Sequence, residues 1–419
     1  MPPLSPVRRP RPPAVRPRGA AMTDRRPAIP RTVWALGLVS LFMDVSSEII
    51  HSLLPLFMTA TLGLSVALVG LIDGIAESTA SITKVFSGYA SDRIGRRKPL
   101  ILLGYGLAAV SKPLFPLAGG ALPLLAARFA DRVGKGIRGA PRDALVADVT
   151  PPEIRGRAFG LRQALDTIGA FVGPLLAIGL MILFSNDMRA VFWVAVVPAF
   201  LAVLCALLWV EDRTDSGRSA RVPIKLAELK QLGGAYWAVV AIGVVFTLAR
   251  FSEAFLILKA TREGLPLWLA PLVLVVMNLV YAAGAYPAGA LADRRDARAL
   301  LGQGLVCLIL ADVILAVTTG LAGAFGGICL WGLHMALTQG LLAKLVADRT
   351  PDRLRGSAFG LFNLASGLSL LAASVAAGLL WDAFGPAATF LAGAAFAALA
   401  GVMMLPLRRR PDPAARAEP

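Results

Sequence analysis

The sequence has few of the residues on which soluble enzymes and metalloproteins depend. Charged residues make up only 16% of its 419 residues, with three cysteines and two histidines. Cys205, Cys307 and Cys329 stand singly inside apolar runs, so they indicate neither a disulfide framework nor a zinc site. The sequence contains no H-E-x-x-H segment, phosphate-binding loop or nucleophile elbow. We therefore expect no catalytic residue, metal or cofactor; a membrane-embedded enzyme or sensor is the alternative class.

Apolar residues are abundant instead. They make up 57% of the chain, and the mean hydropathy of +0.69 lies above the range of soluble globular domains. Apolar runs of about 20 residues, the length that a helix needs to cross a bilayer, recur along the chain. We predict an all-α, multi-pass membrane protein with twelve transmembrane helices. The predicted spans are residues 33–59, 66–90, 100–118, 121–147, 157–184, 190–210, 235–258, 267–291, 299–318, 325–347, 357–381 and 387–407.

The chain also contains an internal repeat. Residues 147–161 recur as residues 347–361 with ten of fifteen positions identical, an offset of 200 residues. Such a repeat indicates two copies of one unit, here two pseudo-symmetric six-helix bundles. The predicted organisation is a disordered Pro/Arg-rich cytoplasmic tail (1–30), the first bundle (31–210), a cytoplasmic linker (211–232), the second bundle (233–407) and a cytoplasmic tail (408–419). Met1 and Met22 are both candidate start residues.

The charged residues are unevenly divided between the predicted loops. The net charge is +16, from 42 Lys and Arg against 26 Asp and Glu. Most basic residues fall in both tails and in the loops on one side, which is typical of the cytoplasmic face. We therefore expect a bacterial inner-membrane protein with both termini in the cytoplasm, present as a monomer in the lipid bilayer. Nucleic-acid binding, the other interpretation of a pI near 10.6, is disfavoured and no nucleic-acid partner is expected.

The polar segments resemble signatures of the major facilitator superfamily. The loop after the second span, Gly88-Tyr-Ala-Ser-Asp92-Arg93-Ile-Gly95-Arg96-Arg97, is similar to the family's G-x-x-x-D-R-x-G-R-R loop, and its echo in the second half ends at Asp293-Arg294. Arg128 stands where the family often has an intramembrane arginine. Gly160, Gly169 and Gly173-Pro174 resemble the G-x8-G-x3-G-P motif of proton-driven exporters, although Ala177-Ile178 replaces the usual Gly-Gly pair. Residues 44–48 and 131–143 are similar to a bacterial branch of unknown substrate.

The resemblance implies a secondary transporter that works by alternating access. We expect proton-coupled export of a small organic solute, with the proton gradient as driving force; uptake or exchange of an organic anion is the alternative. It also implies a cytoplasmic latch in which Asp92 ties the two halves together near the start of the eleventh helix. The gate and latch candidates are Gly88, Asp92, Arg93, Gly95, Arg96, Arg97, Arg138, Arg142, Asp148, Arg155, Asp293, Arg294, Asp348 and Arg355.

The charges inside the predicted spans mark the candidate site. Each would cost about 2.5–3.5 kcal/mol in a lipid-facing helix, so we expect them to face a watery cavity or a partner. Carboxylates at mid-depth are the proton-coupling candidates, and a basic stripe on the fourth helix dominates the candidates for the substrate cavity. The proton-coupling candidates are Glu48, Glu77, Asp44 and Asp73. The substrate-cavity candidates are Arg128, Arg132, Lys135, Arg162, Asp166, Arg250 and Glu253.

Two interpretations of this stripe stay open. Its basic groups pair with acids in a buried network that holds the first half together, or their surplus receives an anionic solute. His51 is either a group that titrates near neutrality or a plain hydrogen-bonding residue. Asp44, Glu48 and His51 share one helix face and could bind a divalent cation, which the neighbouring basic stripe disfavours.

Overall fold

The structure is a computed structural model that describes residues 28–212, 232–292, 296–338, 340–351 and 354–406. Helices dominate these ranges, and no strand occurs among the residues described. Both predicted tails lie almost wholly outside the described residues, as do most of the linker and the latch candidates Asp293 and Arg294.

Each half of the chain folds into a series of long helices separated by short turns. The first half contains α1 (Arg31–His51), α2 (Val66–Ile94), α3 (Lys98–Ser111), α4 (Ala121–Val149), α5 (Arg155–Leu183) and α6 (Met188–Trp209). The second half contains α7a (Gly234–Leu248), α7b (Ala254–Arg262), α8 (Leu272–Ala292), α9 (Ala297–Val317), α10a (Leu321–Thr338), α10b (Leu341–Asp348), α11 (Arg355–Phe384) and α12 (Pro386–Met404). Short helical segments, Leu54–Leu56, Phe57–Thr61 and Leu114–Leu117, extend the first crossing to Thr61 and the third to Leu117.

Ten helical segments in the described part of the chain are long and apolar enough to cross a membrane. The fourth crossing falls outside this count because α4 carries many charged residues, and the seventh because α7a has only 15 residues. The count of twelve crossings therefore stays a prediction.

The predicted spans 235–258 and 325–347 each consist of two helical segments. The seventh helix is interrupted between Leu248 and Ala254, where the Ser252 hydroxyl accepts a hydrogen bond from the Ala254 amide and so caps α7b. The tenth is interrupted before Leu341 because Gly340 has φ +70°, a left-handed conformation that glycine adopts without strain.

Within the first half, glycines allow helices to approach closely. A Cβ atom added at Gly169 would lie 2.7 Å from the Leu41 carbonyl oxygen, and one at Gly173 would lie 2.7 Å from the Glu48 Cβ. These two residues of the predicted helix 5 motif therefore pack α5 against α1, whereas Gly160 has open space beside it. Small residues at such contacts let helix backbones pack closely in membranes.

The two halves meet chiefly where α2 packs against α11. The Asp382 carboxylate, near the end of α11, accepts hydrogen bonds from the Val66 and Ala67 amides at 3.2 and 2.8 Å. A Cβ at Gly70 would lie 2.1 Å from the Ser374 carbonyl oxygen, so the two backbones touch one turn further along. These contacts join the halves on the side opposite to the start of α1, which we call the distal side; the side of the α2–α3 and α4–α5 turns is the proximal side.

Candidate functional site

Two adjoining cavities lie between the halves. The proximal cavity has a volume of about 680 Å³ and the central cavity about 500 Å³. Both are lined by Glu48, Glu77, Lys135, Ala170 and Asn278, so these residues stand where the cavities join. The proximal cavity adds the charged residues Asp44, Lys84, Arg138, Arg142 and Asp166. The central cavity adds His51, Arg132, Arg250 and Glu253, together with the aromatic residues Phe246, Phe251, Trp331 and Phe362.

The distal part of the basic stripe on α4, Arg128 and Arg132, forms buried ion pairs with α2. Arg128 Nη2 lies 3.2 Å from Asp73 Oδ1, and both side chains are about 2% exposed or less. Arg132 Nη1 lies 3.3 Å from Glu77 Oε1, whose side chain is one-third exposed. Because an unpaired charge in such a position would be very costly, these pairs satisfy groups that α4 could not otherwise bury. Asp73 and Glu77 thus have direct cationic partners.

A second pair lies on the other flank of α4. Lys112 Nζ, just past the end of α3, lies 2.8 Å from Asp131 Oδ1 and donates to the Ser47 hydroxyl at 3.0 Å. Lys112 and Asp131 are both nearly inaccessible to solvent. Lys112 is not among the site residues predicted from the sequence. Its isolation in an apolar run was the available signal, since such a charge requires a partner.

The proximal part of the stripe is paired with α5. Arg142 Nη1 lies 3.6 Å from Asp166 Oδ1 and donates to the Ser40 hydroxyl at 2.8 Å. Arg162 Nη1 lies 3.1 Å from the other Asp166 oxygen. Arg138 instead stacks over the Tyr105 ring at 4.6 Å. Helix α5 therefore supplies Arg162 and Asp166 to a cluster at the proximal cavity.

Lys135 differs from the other basic residues of α4. Its side chain is exposed to both cavities, and among the described residues it makes no direct ion pair or hydrogen bond. Arg250, in the interruption of the seventh helix, faces the central cavity and lies over the Phe246 ring at 5.8 Å. Glu253 lines the same cavity from the second half.

The carboxylates of α1 face the cavities without an arginine partner. Glu48 Oε2 lies 3.5 Å from His51 Nδ1, so its charged-group partner is this histidine. Asp44, one turn earlier, lines the proximal cavity. Within the described residues no group of three or more His, Cys, Asp or Glu side chains comes together as a metal-ligand set.

The second half contributes one residue that sequence reasoning missed. The Ser252 hydroxyl, in the interruption before α7b, donates a hydrogen bond of 2.8 Å to Asp73 Oδ2. The other oxygen of Asp73 pairs with Arg128, so this acid joins α2, α4 and the seventh helix. The available signal was that Ser252-Glu253 is a rough counterpart of Ser47-Glu48 in the first half, at an offset near that of the repeat.

The latch candidates lie around the turn between α2 and α3. Gly95 has φ +69° and ends α2, while Arg97 Nε lies 3.5 Å from Asp148 Oδ2 at the end of α4. This contact is internal to the first half. A Cβ added at Gly88 would lie 3.4 Å from the Ala140 Cβ of α4, and Arg93 and Arg96 are exposed. Arg155 begins α5, Asp348 ends α10b and Arg355 begins α11. The side chain of Asp92 lies outside what the structure describes, so its tie to the second half stays a prediction.

Comparison with known proteins identifies the family. The Major Facilitator Superfamily model matches residues 36–374 and, in an overlapping second match, residues 272–419. The chain belongs to the Major Facilitator Superfamily. This confirms the resemblance in the sequence, the superfamily fold and the assignment as a transporter in a multi-pass membrane protein.

Relatives of this superfamily transporter cover most of its length. It is 30% identical over 381 residues to an uncharacterised MFS-type transporter of Methanocaldococcus jannaschii, covering 90% of this chain and 94% of that one. It is 24% identical to the multidrug resistance protein MdtH of Salmonella typhi, covering 80% and 82%. Among solved structures, a bacterial homologue of the human lysosomal transporter Spinster in an inward-facing, unoccupied conformation matches with TM-score 0.70 and 18% identity, covering 92% and 100%.

Proposed function

We propose that this superfamily transporter exports a small organic solute in exchange for protons by alternating access. The observation that carries the proposal is the position of Glu48, at the junction of the two cavities and with His51 rather than an arginine in contact. A coupling acid must bind and release protons as the cavity changes sides, which a fixed arginine partner opposes. Glu77 and Asp73 have such partners, so we assign coupling to Glu48, with Asp44 as the second choice.

The central cavity supplies a site of the right size and chemistry for an organic solute. Its volume of about 500 Å³ falls within the range of small-molecule sites, about 300–1,000 Å³. Charged groups from the first half face aromatic residues from the second, among them Phe246 and Trp331. Such a surface accepts an apolar body and a polar group together. The name of the MdtH relative, a multidrug resistance protein, supports export of this kind of solute.

Alternating access requires that contacts on one side break when those on the other form. The α2–α11 contacts close the distal side, while the larger cavity lies toward the proximal side. We place the proximal side and both termini in the cytoplasm of a bacterial inner membrane, following the positive loops. The conformation is then inward-facing, and transport would proceed by opening the α2–α11 contact.

The test is transport by the full chain in proteoliposomes with an imposed pH gradient. A panel of labelled cationic, neutral and anionic organic solutes is screened for gradient-driven flux and for proton movement. Glu48→Gln keeps the shape of the side chain and removes its titration, so it should abolish gradient-driven flux and spare solute exchange. Glu153→Gln, an exposed acid in the α4–α5 turn, is the matched control and should behave like the wild type. Gradient-driven flux at the wild-type rate in Glu48→Gln would refute the assignment.

Uptake or exchange of an organic anion is the second candidate. Lys135 favours it, because this exposed cation without a direct partner stands at the junction of the cavities. Lys135→Gln should then weaken binding of carboxylate solutes about tenfold or more while leaving the thermal midpoint within a degree or two, since no ion pair is lost. Lys344→Gln removes an equivalent exposed cation outside both cavities and serves as the control. Unchanged carboxylate affinity in Lys135→Gln would exclude this candidate.

A further inference from the structure

Asp312 is a carboxyl group that the proposed mechanism does not use. It lies in α9, no described residue of which lines either cavity, and it is fully shielded from solvent. Neither of its side-chain oxygens has a hydrogen-bond partner among the described residues, and no ion pair to it occurs there. Burying an isolated carboxylate costs far more than burying a neutral acid, so this environment favours the protonated form of Asp312.

The surroundings of Asp312 are aromatic. A Cβ added at Gly393 in α12 would lie 2.7 Å from Asp312 Oδ2 and 2.9 Å from Phe251 Cε1, so the carboxyl and this ring meet at the same glycine. Phe251 in turn stacks against Trp331 and Phe390, with ring centroids 5.4 and 5.6 Å apart. The absence of a side chain at Gly393 leaves the space that the carboxyl group occupies.

Phe251 also connects Asp312 to the site. It lies in the interruption between α7a and α7b, where the backbone is not held by helical hydrogen bonds, and it lines the central cavity. Its ring therefore stands between the cavity and the carboxyl group. A change of conformation in this short segment would open a path from cavity water to Asp312, because the segment has the fewest backbone restraints along the seventh helix.

The charged groups on the elements around α9 are few. Arg250 and Glu253 flank Phe251 and face the cavity, and Lys259 on α7b donates to the Thr318 carbonyl at the end of α9. On α10a, His334 contacts the Gly304 carbonyl, two turns from Asp312. Helix α12 has no charged residue. None of these groups pairs with Asp312 in this conformation, so a change in its environment must come from water or from movement of the α7 segment.

We propose that Asp312 is a second proton-binding site, which exchanges its proton with the central cavity when the Phe251 segment moves. In the step, the O–H bond of the carboxyl group breaks, the proton passes to cavity water, and the carboxylate becomes hydrated beside the cavity. The reverse step reloads the site before the segment closes. This goes beyond the proposed function, in which Glu48 on α1 carries the coupled proton.

The test is infrared difference spectroscopy of the purified full chain in lipid, titrated from acid to alkaline pH. The carbonyl stretching band of a protonated carboxylic acid should disappear on alkalinisation in the wild type. The same band should be missing in Asp312→Asn and present in Glu48→Gln and Glu153→Gln. A matched potentiometric titration should show one proton fewer released from Asp312→Asn. Asn keeps the size of the side chain, and the thermal midpoint reports whether the variant is folded.

Two results would overturn the proposal. A protonated-acid band that Asp312→Asn removes but alkaline pH leaves unchanged would make Asp312 a permanently neutral structural acid. A wild-type titration equal to that of Asp312→Asn would show that the site exchanges no proton. If Asp312→Asn fails to fold, Phe251→Ala provides the second test, since widening the path should speed loss of the band on a pH jump. An unchanged rate would also overturn it. Loss of coupling in Glu48→Gln is measured separately, so failure of one assignment leaves the other standing.

Discussion

The contact between α2 and α11 makes a quantitative prediction about the conformational equilibrium. Replacing Gly70 by alanine puts a methyl group 2.1 Å from the Ser374 carbonyl oxygen and 3.0 Å from its carbon. These are backbone atoms, so the clash is relieved only if the helices separate. Overpacking of this kind costs about 1–3 kcal/mol. Because every 1.4 kcal/mol is a factor of ten, the variant should shift the population away from the distally closed state by about 5- to 150-fold.

Three glycine-to-alanine substitutions should shift the conformational equilibrium by different amounts. In Gly74→Ala the added methyl group would lie 3.0 Å from the Leu371 side chain and 3.1 Å from its carbonyl oxygen. These distances are longer than the 2.1 Å at Gly70, so the shift should be smaller than in Gly70→Ala. Gly179→Ala in α5 adds the same methyl group where nothing lies within 4 Å, and it should have no effect on the equilibrium. The three variants are chemically identical changes, which separates the contact from the general effect of replacing glycine in a helix.

The assay is the distance between spin labels on the distal side. Cysteines at Thr61 and Phe384, both exposed, carry the labels after the three native cysteines are replaced by alanine. The longer component of the distance distribution should be largest in Gly70→Ala, smaller in Gly74→Ala and absent in Gly179→Ala. Identical distributions in Gly70→Ala and Gly179→Ala, in protein that remains folded, would refute the view that this contact holds the distal side closed.

Two further predictions concern stability. Arg128→Met leaves Asp73 buried without its cation and should destabilise the fold by about 3–5 kcal/mol. The thermal midpoint should fall, and adding Asp73→Asn should restore it in part. Equal midpoints in the single and double variants would contradict this. On the distal loop, hydrogen bonds from Lys259 and the Gly320 amide lower the pKa of Glu263. Its contribution to stability is therefore present above the unfolded pKa of about 4.3 and is lost as pH falls through the lower folded value. Glu263→Gln should weaken the dependence of the thermal midpoint on pH in that acid range. A pH profile of the midpoint equal to that of the wild type would refute this prediction.

The helices could be read from the sequence because each crossing is an apolar run bounded by polar residues. Most helix bounds fall within a few residues of the predicted spans. The interruption before α7b could not be read in this way, because Arg250, Ser252 and Glu253 resemble the isolated polar residues that continuous helices also carry, such as Asp73 and Glu77 in α2. At the start of α7b, the Ser252 hydroxyl accepts a hydrogen bond from the Ala254 amide and donates one to Asp73. The second of these depends on a helix about 180 residues away.

The α4 stripe shows the same limit at the site. Helical spacing places Arg128, Arg132 and Lys135 on connected faces, yet spacing on one helix does not say which neighbour each residue faces. The first two meet acids of α2, and Lys135 meets the cavity. Only the packing of α4 against α2 separates the paired residues from the one that is accessible to solute.

The repeat supplies an argument about why these charges are present. Glu77 and its counterpart Asn278 both line both cavities, so the two halves place equivalent positions at the junction. At the 200-residue offset of the repeat, Arg128 corresponds to Ile328, which is fully buried in the apolar core. Helix α10a packs on α8 through Gly332, whose added Cβ would lie 2.5 Å from the Met277 carbonyl oxygen. The second half therefore assembles with the Asn278 amide and the apolar helix α10a at the positions where the first half has acids and arginines. Since burying ion pairs is at best close to neutral compared with apolar packing, assembly alone does not account for them. We infer that the charges of the first half are maintained for the changes in pairing that occur as the cavity opens and closes.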